Sequence, residues 1–296
     1  MAKLVVGCGY LGWRVATRWR DRGHAVAAVT RDAIRAQRMR HDGLTPIVAD
    51  ITRPESFSGV EWPAIDSVLF AVGYDRASGQ PIYQVYVEGL RHLLAVLPAG
   101  VTRFIYISST GVYGDFDGEW VDEDSPCQPR REGGRACLAA ERLLAEHPRG
   151  RRAIILRLAG VYGPGRVPRR ESIVAGQPVP AAADGYVNLI HVDDAAGVVL
   201  AAEAATLAPR TYIVSDGRPV RRGEYFREMA RLLNAPEPAF VAPAADSHAA
   251  ARASADKRVS NARMMAELAP TLSYPSYREG LASILSAAPS APIAPV

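Results

Sequence analysis

The stretch Val5-Val6-Gly7-Cys8-Gly9-Tyr10-Leu11-Gly12, close to the start of the chain, decides the fold. Three glycines spaced Gly-x-Gly-x-x-Gly stand between an apolar, β-branched run and a segment whose apolar residues have helical spacing. In this motif Gly7 permits a tight turn, Gly9 lets the backbone approach a pyrophosphate, and Gly12 lets the helix pack closely on the strand. Free N–H groups and a partial positive charge at the helix start favour phosphate. The motif predicts a dinucleotide site contacted by Gly7, Gly9, Tyr10, Leu11 and Gly12; a glycine turn without a ligand is the alternative.

Strand and helix patterns alternate on either side of this motif. Short apolar runs predict strands over residues 3–6, 25–30, 45–49, 67–71, 103–108 and 153–157. Helical spacing predicts helices over residues 12–22, 33–41, 83–97 and 137–146. This alternation predicts an α/β fold, a doubly wound parallel Rossmann sheet with helices on both faces.

The regular alternation weakens after about residue 160. Turn signals fall at 163–168 and 176–180, and further elements are predicted over 190–205, 211–214, 223–233 and 261–268. We therefore predict a Rossmann domain over residues 1–160 and a smaller C-terminal substrate lobe over 161–286, interleaved with it. The last ten residues, 287–296, carry three prolines and are predicted to be a disordered tail.

Composition narrows the class of protein. No apolar run approaches the roughly 20 residues that span a bilayer, and the chain enters a strand at once, without the regions of a signal peptide. We therefore expect a cytoplasmic protein with no membrane partner. Cys8, Cys127 and Cys137 lack Cys-x-x-Cys spacing, which argues against a disulfide framework, a structural zinc site or another bound metal.

The formal net charge is +4, and arginine supplies almost all the positive charge because Lys3 and Lys257 are the only lysines. The arginines are scattered among acids, so we expect no nucleic-acid partner. Arginine also grips anionic ligands bidentately, although the coding composition of the source genome is an equal explanation.

The end of the second predicted strand selects the cofactor. A site for NAD(H) usually has an acid there for the ribose 2′-hydroxyl, but this chain has Thr30 and Arg31, with Arg35 a helical turn beyond. A guanidinium pairs with a 2′-phosphate, so we predict that the cofactor is NADP(H). The alternative is that Arg31 is a solvated surface residue. Asp32 is an acid close to this point, but its position after Arg31 suits a helix N-cap. Further predicted contacts follow the third and fourth strands: Asp50, Ile51, Ala71, Val72 and Gly73.

With these residues the chain resembles the extended short-chain dehydrogenase/reductases, the NAD(P)-dependent epimerase/dehydratase family, over about residues 3–285. The resemblance is carried by the glycine motif and by four later stretches, at 105–114 (IYISSTGVYG), 156–166 (LRLAGVYGPGR), 190–195 (IHVDDA) and 257–261 (KRVSN) with 274–277 (YPSY). The last of these is similar to an atypical branch of the family. The resemblance implies that the Rossmann lobe holds cofactor and the C-terminal lobe holds substrate.

Two departures from the family pattern affect the expected chemistry. Val6 stands where the extended type usually has a glycine. The family's catalytic Tyr-x-x-x-Lys would place tyrosine at Gly133 and lysine at Cys137, and no Tyr-x-x-x-Lys occurs anywhere in the chain. In the family the tyrosinate is the acid/base, and the lysine lowers its pKa and holds the nicotinamide ribose.

Other side chains are candidates for the missing roles. Ser109 matches the family's catalytic hydroxyl, with Thr110 beside it, and Ser108 is grouped with the cofactor contacts. Cys137 is a candidate acid/base or a small core residue. The candidates on the substrate side are Tyr113, Tyr162, Arg166 and His191, of which His191 is also a candidate helix cap.

Three functions remain open from the sequence. The first is an atypical NADP(H)-dependent oxidoreductase or epimerase acting on a small hydroxyl- or carbonyl-bearing substrate or a nucleotide sugar. The second is a non-catalytic NADP(H)-binding sensor or scaffold, and the third is a lyase or isomerase with a structural cofactor. The helices of 83–97 and 137–144 suit a homodimer interface, and core packing explains their apolar faces equally well.

Overall fold

In the computed structural model the described residues are 1–205, 210–244 and 256–286. The predicted disordered tail, 287–296, lies outside them. Within the described residues no helix is both long and apolar enough to cross a bilayer.

A seven-stranded sheet forms the centre of the fold. Its strands are β1 (Ala2–Val6), β2 (Val26–Thr30), β3 (Thr45–Val48), β4 (Ile65–Phe70), β5 (Arg103–Ser109), β7 (Ala153–Leu158) and β12 (Arg210–Val214). Their order is β12-β7-β5-β4-β1-β2-β3, and β1 pairs in parallel with both β2 and β4. The chain thus leaves β1 on one side and returns on the other, the arrangement in which ligands bind beyond the carboxyl ends of the strands. The predicted Rossmann sheet is confirmed.

Helices α1 (Tyr10–Asp21), α2 (Ala33–His41), α3 (Gly89–Val96) and α4 (Glu132–Glu146) accompany this sheet. The predicted helix over 83–97 contains a π-helical turn, Gln84–Glu88, before α3. Leu90, Leu93 and Leu94 of α3 are buried in one core with Phe70 and Phe104 of the sheet. Core packing therefore accounts for the apolar face of α3, and the homodimer stays a prediction.

The chain divides into two units, each built from three segments. The first unit consists of Met1–Ser109, Glu132–Arg157 and Ala196–Tyr212, and the second of Thr110–Arg131, Leu158–Ala195 and Ile213–Val296. The assignment of cofactor to one part of the chain and substrate to another stays a prediction.

The rest of the described chain includes short paired strands and five further α-helices. The strands are β6 (Trp120–Val121), β8 (Gly160–Tyr162), β9 (Val179–Pro180), β10 (Tyr186–Val187), β11 (Leu189–His191), β13 (Val220–Arg221), β14 (Phe240–Val241) and β15 (Arg258–Val259). The helices are α5 (Arg170–Val174), α6 (Val192–Ala204), α7 (Arg222–Leu232), α8 (Ala262–Leu268) and α9 (Tyr277–Leu285). Phe226 and Met229 of α7 share a buried cluster with Tyr277 and Leu281 of α9, which gives the second unit a core of its own.

Candidate functional site

The glycine motif forms the turn between β1 and α1, and its backbone lies against the turn after β4. Gly7 has φ of +90°, and a Cβ there would lie 2.5 Å from the backbone of Ala71 and Val72. A Cβ on Gly12 would lie 2.2 Å from the carbonyl oxygen of Gly7. Only glycine fits at these two positions, because a Cβ at either would overlap backbone atoms. The predicted contact residues after β1 therefore lie directly against those after β4. Gly73, in the same turn after β4, is exposed.

The start of α1 has a glycine as its N-cap residue. Gly9 has no side chain with which to cap the helix, no side-chain cap bond is formed here within the described residues, and the first turn of α1 contains no acidic residue. Within this turn Leu11 is buried, and the guanidinium of Arg14 lies 4.4 Å from the centre of the Tyr10 ring. An uncapped helix start next to a glycine turn is suited to bind the phosphate of an anionic ligand.

The predicted N-cap at the end of β2 is confirmed. Asp32 Oδ1 accepts hydrogen bonds from the backbone N–H groups of Ile34 at 2.8 Å and Arg35 at 3.1 Å. These bonds hold the pKa of the Asp32 carboxyl below its ordinary value. The Asp32 carboxylate therefore caps the start of α2. The backbone N–H of Asp32 donates a hydrogen bond to Thr30 Oγ1 at 3.2 Å.

Two arginines stand at this same end of the sheet. Arg31 Nη2 lies 3.0 Å from Asp75 Oδ2, and both side chains are about half exposed, at 52% and 53%. Arg35 is half-buried. Asp75 could not be predicted from the sequence, because it follows the turn after β4 and no local pattern links it to Arg31.

The predicted contacts after β3 have local partners. Asp50 Oδ1 accepts hydrogen bonds from both the N–H, at 2.9 Å, and the Oγ1, at 2.7 Å, of Thr52. The Ile51 carbonyl oxygen lies 2.8 Å from His92 Nδ1. These bonds shape the turn, and contact with an adenine ring stays a prediction.

A buried cluster joins α4 to β5 and β7. Ser108 Oγ donates to Glu141 Oε1 at 2.5 Å, and Arg157 donates to both carboxylate oxygens, at 3.1 Å and 2.6 Å. Of these three residues only Ser108 was a predicted site residue, since 33 residues separate it from Glu141. The hydroxyl of Ser108 is thus engaged with Glu141, while Ser109, the next residue, ends β5 partly exposed.

Helix α4 carries the two positions where the family's catalytic pair would stand. Cys137 lies one turn before Glu141 and is only 6% exposed. A Cβ on Gly133 would meet Ile82 at 3.5 Å, an ordinary contact. The helix spans Glu132–Glu146 and includes both positions, so the departure from the family pattern concerns the side chains and not the presence of the helix.

In the second unit, the chain after β5 is tied to Lys257. Thr110 begins a short helical turn, Thr110–Val112, and the Tyr113 side chain is fully buried. Lys257 Nζ donates to the Gly114 carbonyl oxygen at 2.6 Å. Burial and the charge of Arg131 lower the pKa of Lys257 to about 8, against the opposing influence of Asp115 and Asp256. The sequence placed Lys257 in the KRVSN stretch of the family resemblance and did not predict it as a site residue.

Tyr162 and His191 are brought together in a buried aromatic group, whereas Arg166 is exposed. The His191 ring lies 3.8 Å from the Tyr274 ring and 5.3 Å, edge-on, from the Tyr162 ring, measured between centroids. His191 Nδ1 accepts the N–H of Asp193 at 3.2 Å, so it caps α6, the alternative role considered for it. Burial raises the pKa of Tyr162, which makes its phenol a weaker acid than an exposed tyrosine.

Asp216 is a buried carboxyl that sequence analysis missed. Its Oδ1 accepts the N–H of Arg218 at 2.9 Å, but its Oδ2 has no hydrogen-bond partner among the described residues. Burial raises the pKa of Asp216 to about 7, Asp194 and Glu279 act in the same direction, and Arg218 opposes them. In the described part of the chain, no cluster of three or more His, Cys, Asp or Glu side chains is suited to hold a metal ion.

The chain belongs to the NAD-dependent epimerase/dehydratase family, whose sequence model matches residues 3–215. This confirms the resemblance inferred from the motifs, including the atypical extended type.

Relatives of known sequence extend the similarity over most of the chain. The chain is 32% identical over 244 residues to protein YeeZ of Escherichia coli K12, covering 80% of this chain and 85% of that protein. It is 29% identical over 313 residues to 3-diazoavenalumate denitrifying reductase of a Streptomyces species, covering 95% and 99%. A solved structure of a putative NAD-dependent epimerase/dehydratase from Methylobacillus flagellatus is 30% identical, with a TM-score of 0.75 and coverage of 96% and 97%.

Proposed function

We propose that this protein binds NADP(H) at the glycine turn and acts as an atypical oxidoreductase or epimerase on a small hydroxyl- or carbonyl-bearing substrate or a nucleotide sugar. The observation that carries the proposal is the fit of Gly7 and Gly12 against surrounding backbone beside an uncapped helix start. The family and the named reductase among the relatives support nicotinamide-dependent chemistry.

The preference for NADP(H) rests on the end of β2. Asp32, the acid that directly follows Arg31, is engaged with the start of α2. Arg31, which is also paired with Asp75, and Arg35 are the side chains we assign to a 2′-phosphate. Guanidinium groups bind phosphate through paired, charge-assisted hydrogen bonds. Carboxylate at the same place would repel the phosphate and favour NAD(H).

The chemical step needs a proton donor or acceptor other than Tyr-x-x-x-Lys. Ser109 and Thr110 supply hydroxyls for a substrate oxygen, and Cys137 stands at the position of the missing lysine. A placed general acid contributes roughly 10²–10⁴-fold to rate, so without a replacement we expect slow turnover.

The test is a titration of the purified protein with NADPH and NADH, followed by thermal unfolding and cofactor fluorescence. At about 100 times Kd a bound ligand stabilises the native state by roughly 2.7 kcal/mol. Arg31→Ala should weaken NADPH binding more than NADH binding, and Arg40→Ala, an exposed arginine at the far end of α2, should alter neither. Failure of both cofactors to bind the wild-type protein would refute the proposal.

The second candidate is a non-catalytic NADP(H) sensor or scaffold, which the absence of Tyr-x-x-x-Lys favours. A screen of carbonyl compounds and nucleotide sugars separates the two, because the sensor binds NADPH tightly and turns over none of them.

The homodimer and the cytoplasmic location stay predictions, to be checked by light scattering and by cell fractionation.

A further inference from the structure

The ion pair between Arg31 and Asp75 spans the strand that carries the glycine turn. Arg31 directly follows β2 and Asp75 follows the turn after β4, and β1 lies between β2 and β4 in the sheet. The pair, at 3.0 Å, therefore connects the two strand ends that flank the glycine turn. Gly7 packs against the same turn after β4, at Ala71 and Val72.

We propose that Asp75 is a specificity-determining residue that restrains the preference for NADP(H) by competing with the 2′-phosphate for Arg31. This inference rests on the proposed function. A 2′-phosphate that pairs with Arg31 must displace the Asp75 carboxylate or accept it as a neighbouring negative charge. A cofactor with a 2′-hydroxyl carries no charge at that point, so its affinity does not depend on the competition.

The size of the effect follows from the exposure of the pair. Ion pairs between half-exposed side chains contribute at most about 1 kcal/mol, equivalent to about a fivefold change in Kd. Asp75 therefore weakens NADPH binding without preventing it. Screening by salt should shrink the effect, since both charges are in contact with solvent.

Asp75→Asn removes the charge while keeping the local structure. Asp75 Oδ1 accepts the N–H of Ala77 at 2.9 Å, and the amide oxygen of asparagine preserves that bond. The matched control is Asp21→Asn, which also breaks an exposed pair, Arg20 Nη2 to Asp21 Oδ1 at 2.7 Å, at the C-terminal end of α1.

The experiment measures Kd for NADPH and NADH by fluorescence titration in wild type, Asp75→Asn, Asp21→Asn, Arg31→Ala and the double variant Arg31→Ala/Asp75→Asn. We expect Asp75→Asn to tighten NADPH binding by about fivefold while NADH binding changes less than twofold. The gain should vanish in the Arg31→Ala background, because the competition needs the guanidinium. Asp21→Asn should reproduce the wild-type ratio.

Five results would overturn the inference. Weaker NADPH binding in Asp75→Asn would mean that Asp75 orients Arg31 for the phosphate. An equal change for both cofactors, or a gain that persists without Arg31, would remove Arg31 from the explanation. A wild-type protein that binds neither cofactor overturns the proposed function and this inference together, whereas binding with an unchanged ratio in Asp75→Asn overturns this inference alone.

Discussion

Glu141 in the first unit and Asp216 in the second are both buried carboxyls, 5% and 7% exposed. Glu141 receives Ser108 on one oxygen and a two-point contact from Arg157. Asp216 receives one backbone N–H, and its second oxygen has no partner among the described residues. The two carboxyls are thus almost equally buried, but Glu141 has partners on both of its oxygens and Asp216 has a partner on only one among the described residues. A buried charge is tolerated when it is paired, and an unpaired carboxyl escapes the cost of burial by holding its proton.

The largest loss of stability is expected from removing the ion pair between Arg157 and Glu141. Arg157→Met should lower the free energy of unfolding by about 3–5 kcal/mol, because it leaves the Glu141 charge buried without its partner. Urea denaturation at pH 7 measures this. The control Arg91→Met removes an exposed pair with Glu88 and should cost less than about 1 kcal/mol. A loss in Arg157→Met as small as in the control would show that solvent compensates Glu141.

The unpaired site predicts a dependence on pH. Folding raises the pKa of Asp216 from an ordinary 3.8 to about 7, so the native state holds a proton that the unfolded chain has released. Its contribution to stability is present below pH 4 and is lost as pH rises through 7, about 4 kcal/mol in all. The difference in unfolding free energy between Asp216→Asn and wild type should therefore grow by that amount, in favour of the variant, from pH 4 to pH 8. A difference that is constant with pH would contradict the raised pKa.

Lys257 is a buried base, and its effect on stability should change with pH in the direction opposite to that of Asp216. Folding lowers the pKa of Lys257 from an ordinary 10.5 to about 8, so between these values the unfolded chain holds a proton that the native state has lost. Wild-type stability should rise by about 2 kcal/mol from pH 8 to pH 10 relative to Lys257→Met. Denaturation curves at the two pH values give the answer, and parallel behaviour of the two proteins would show that Lys257 keeps its proton.

The smallest loss of stability is expected from removing one hydrogen bond to the Glu141 carboxylate. Ser108→Ala removes one hydrogen bond to Glu141 and leaves both contacts of Arg157, so the loss should be about 1.5 kcal/mol. The exposed Ser58→Ala provides the control and should change stability by less than about 0.5 kcal/mol. A loss equal to that of Arg157→Met would mean that the three residues act as one unit.

Local patterns predicted the features that depend on residues close in sequence. The close approach of Gly12 to Gly7 and the Asp32 cap involve partners only a few residues away, and the strand predicted at 45–49 differs from β3 by one residue. The helix predicted at 137–146 begins five residues earlier, at Glu132, because Gly133 and Gly134 break helices in isolation and packing overrides that preference here. Gly134 is buried.

The pairings between distant residues could not be predicted in this way. Lys257 reaches Gly114 across 143 residues, and Asp75 reaches Arg31 across 44. Nothing in the spacing of apolar residues specifies such contacts, since they depend on which strand ends and loops the fold brings together. Asp216 was missed for the same reason, because only its surroundings distinguish it from an ordinary aspartate.

The order of strands in the sheet has a consequence for synthesis on the ribosome. β5 ends at Ser109, and its outer neighbour β7 begins only at Ala153. A chain that grows at about 5–20 residues per second therefore presents the β5 edge unpaired for several seconds, and such an edge is a template for pairing with another chain. Nascent chains stalled before residue 153 should be cleaved by protease more readily than chains stalled well beyond it, and equal protection would show that something else shields β5. Codons that slow translation between these strands would then raise the yield of aggregated protein without changing a single residue of the finished fold.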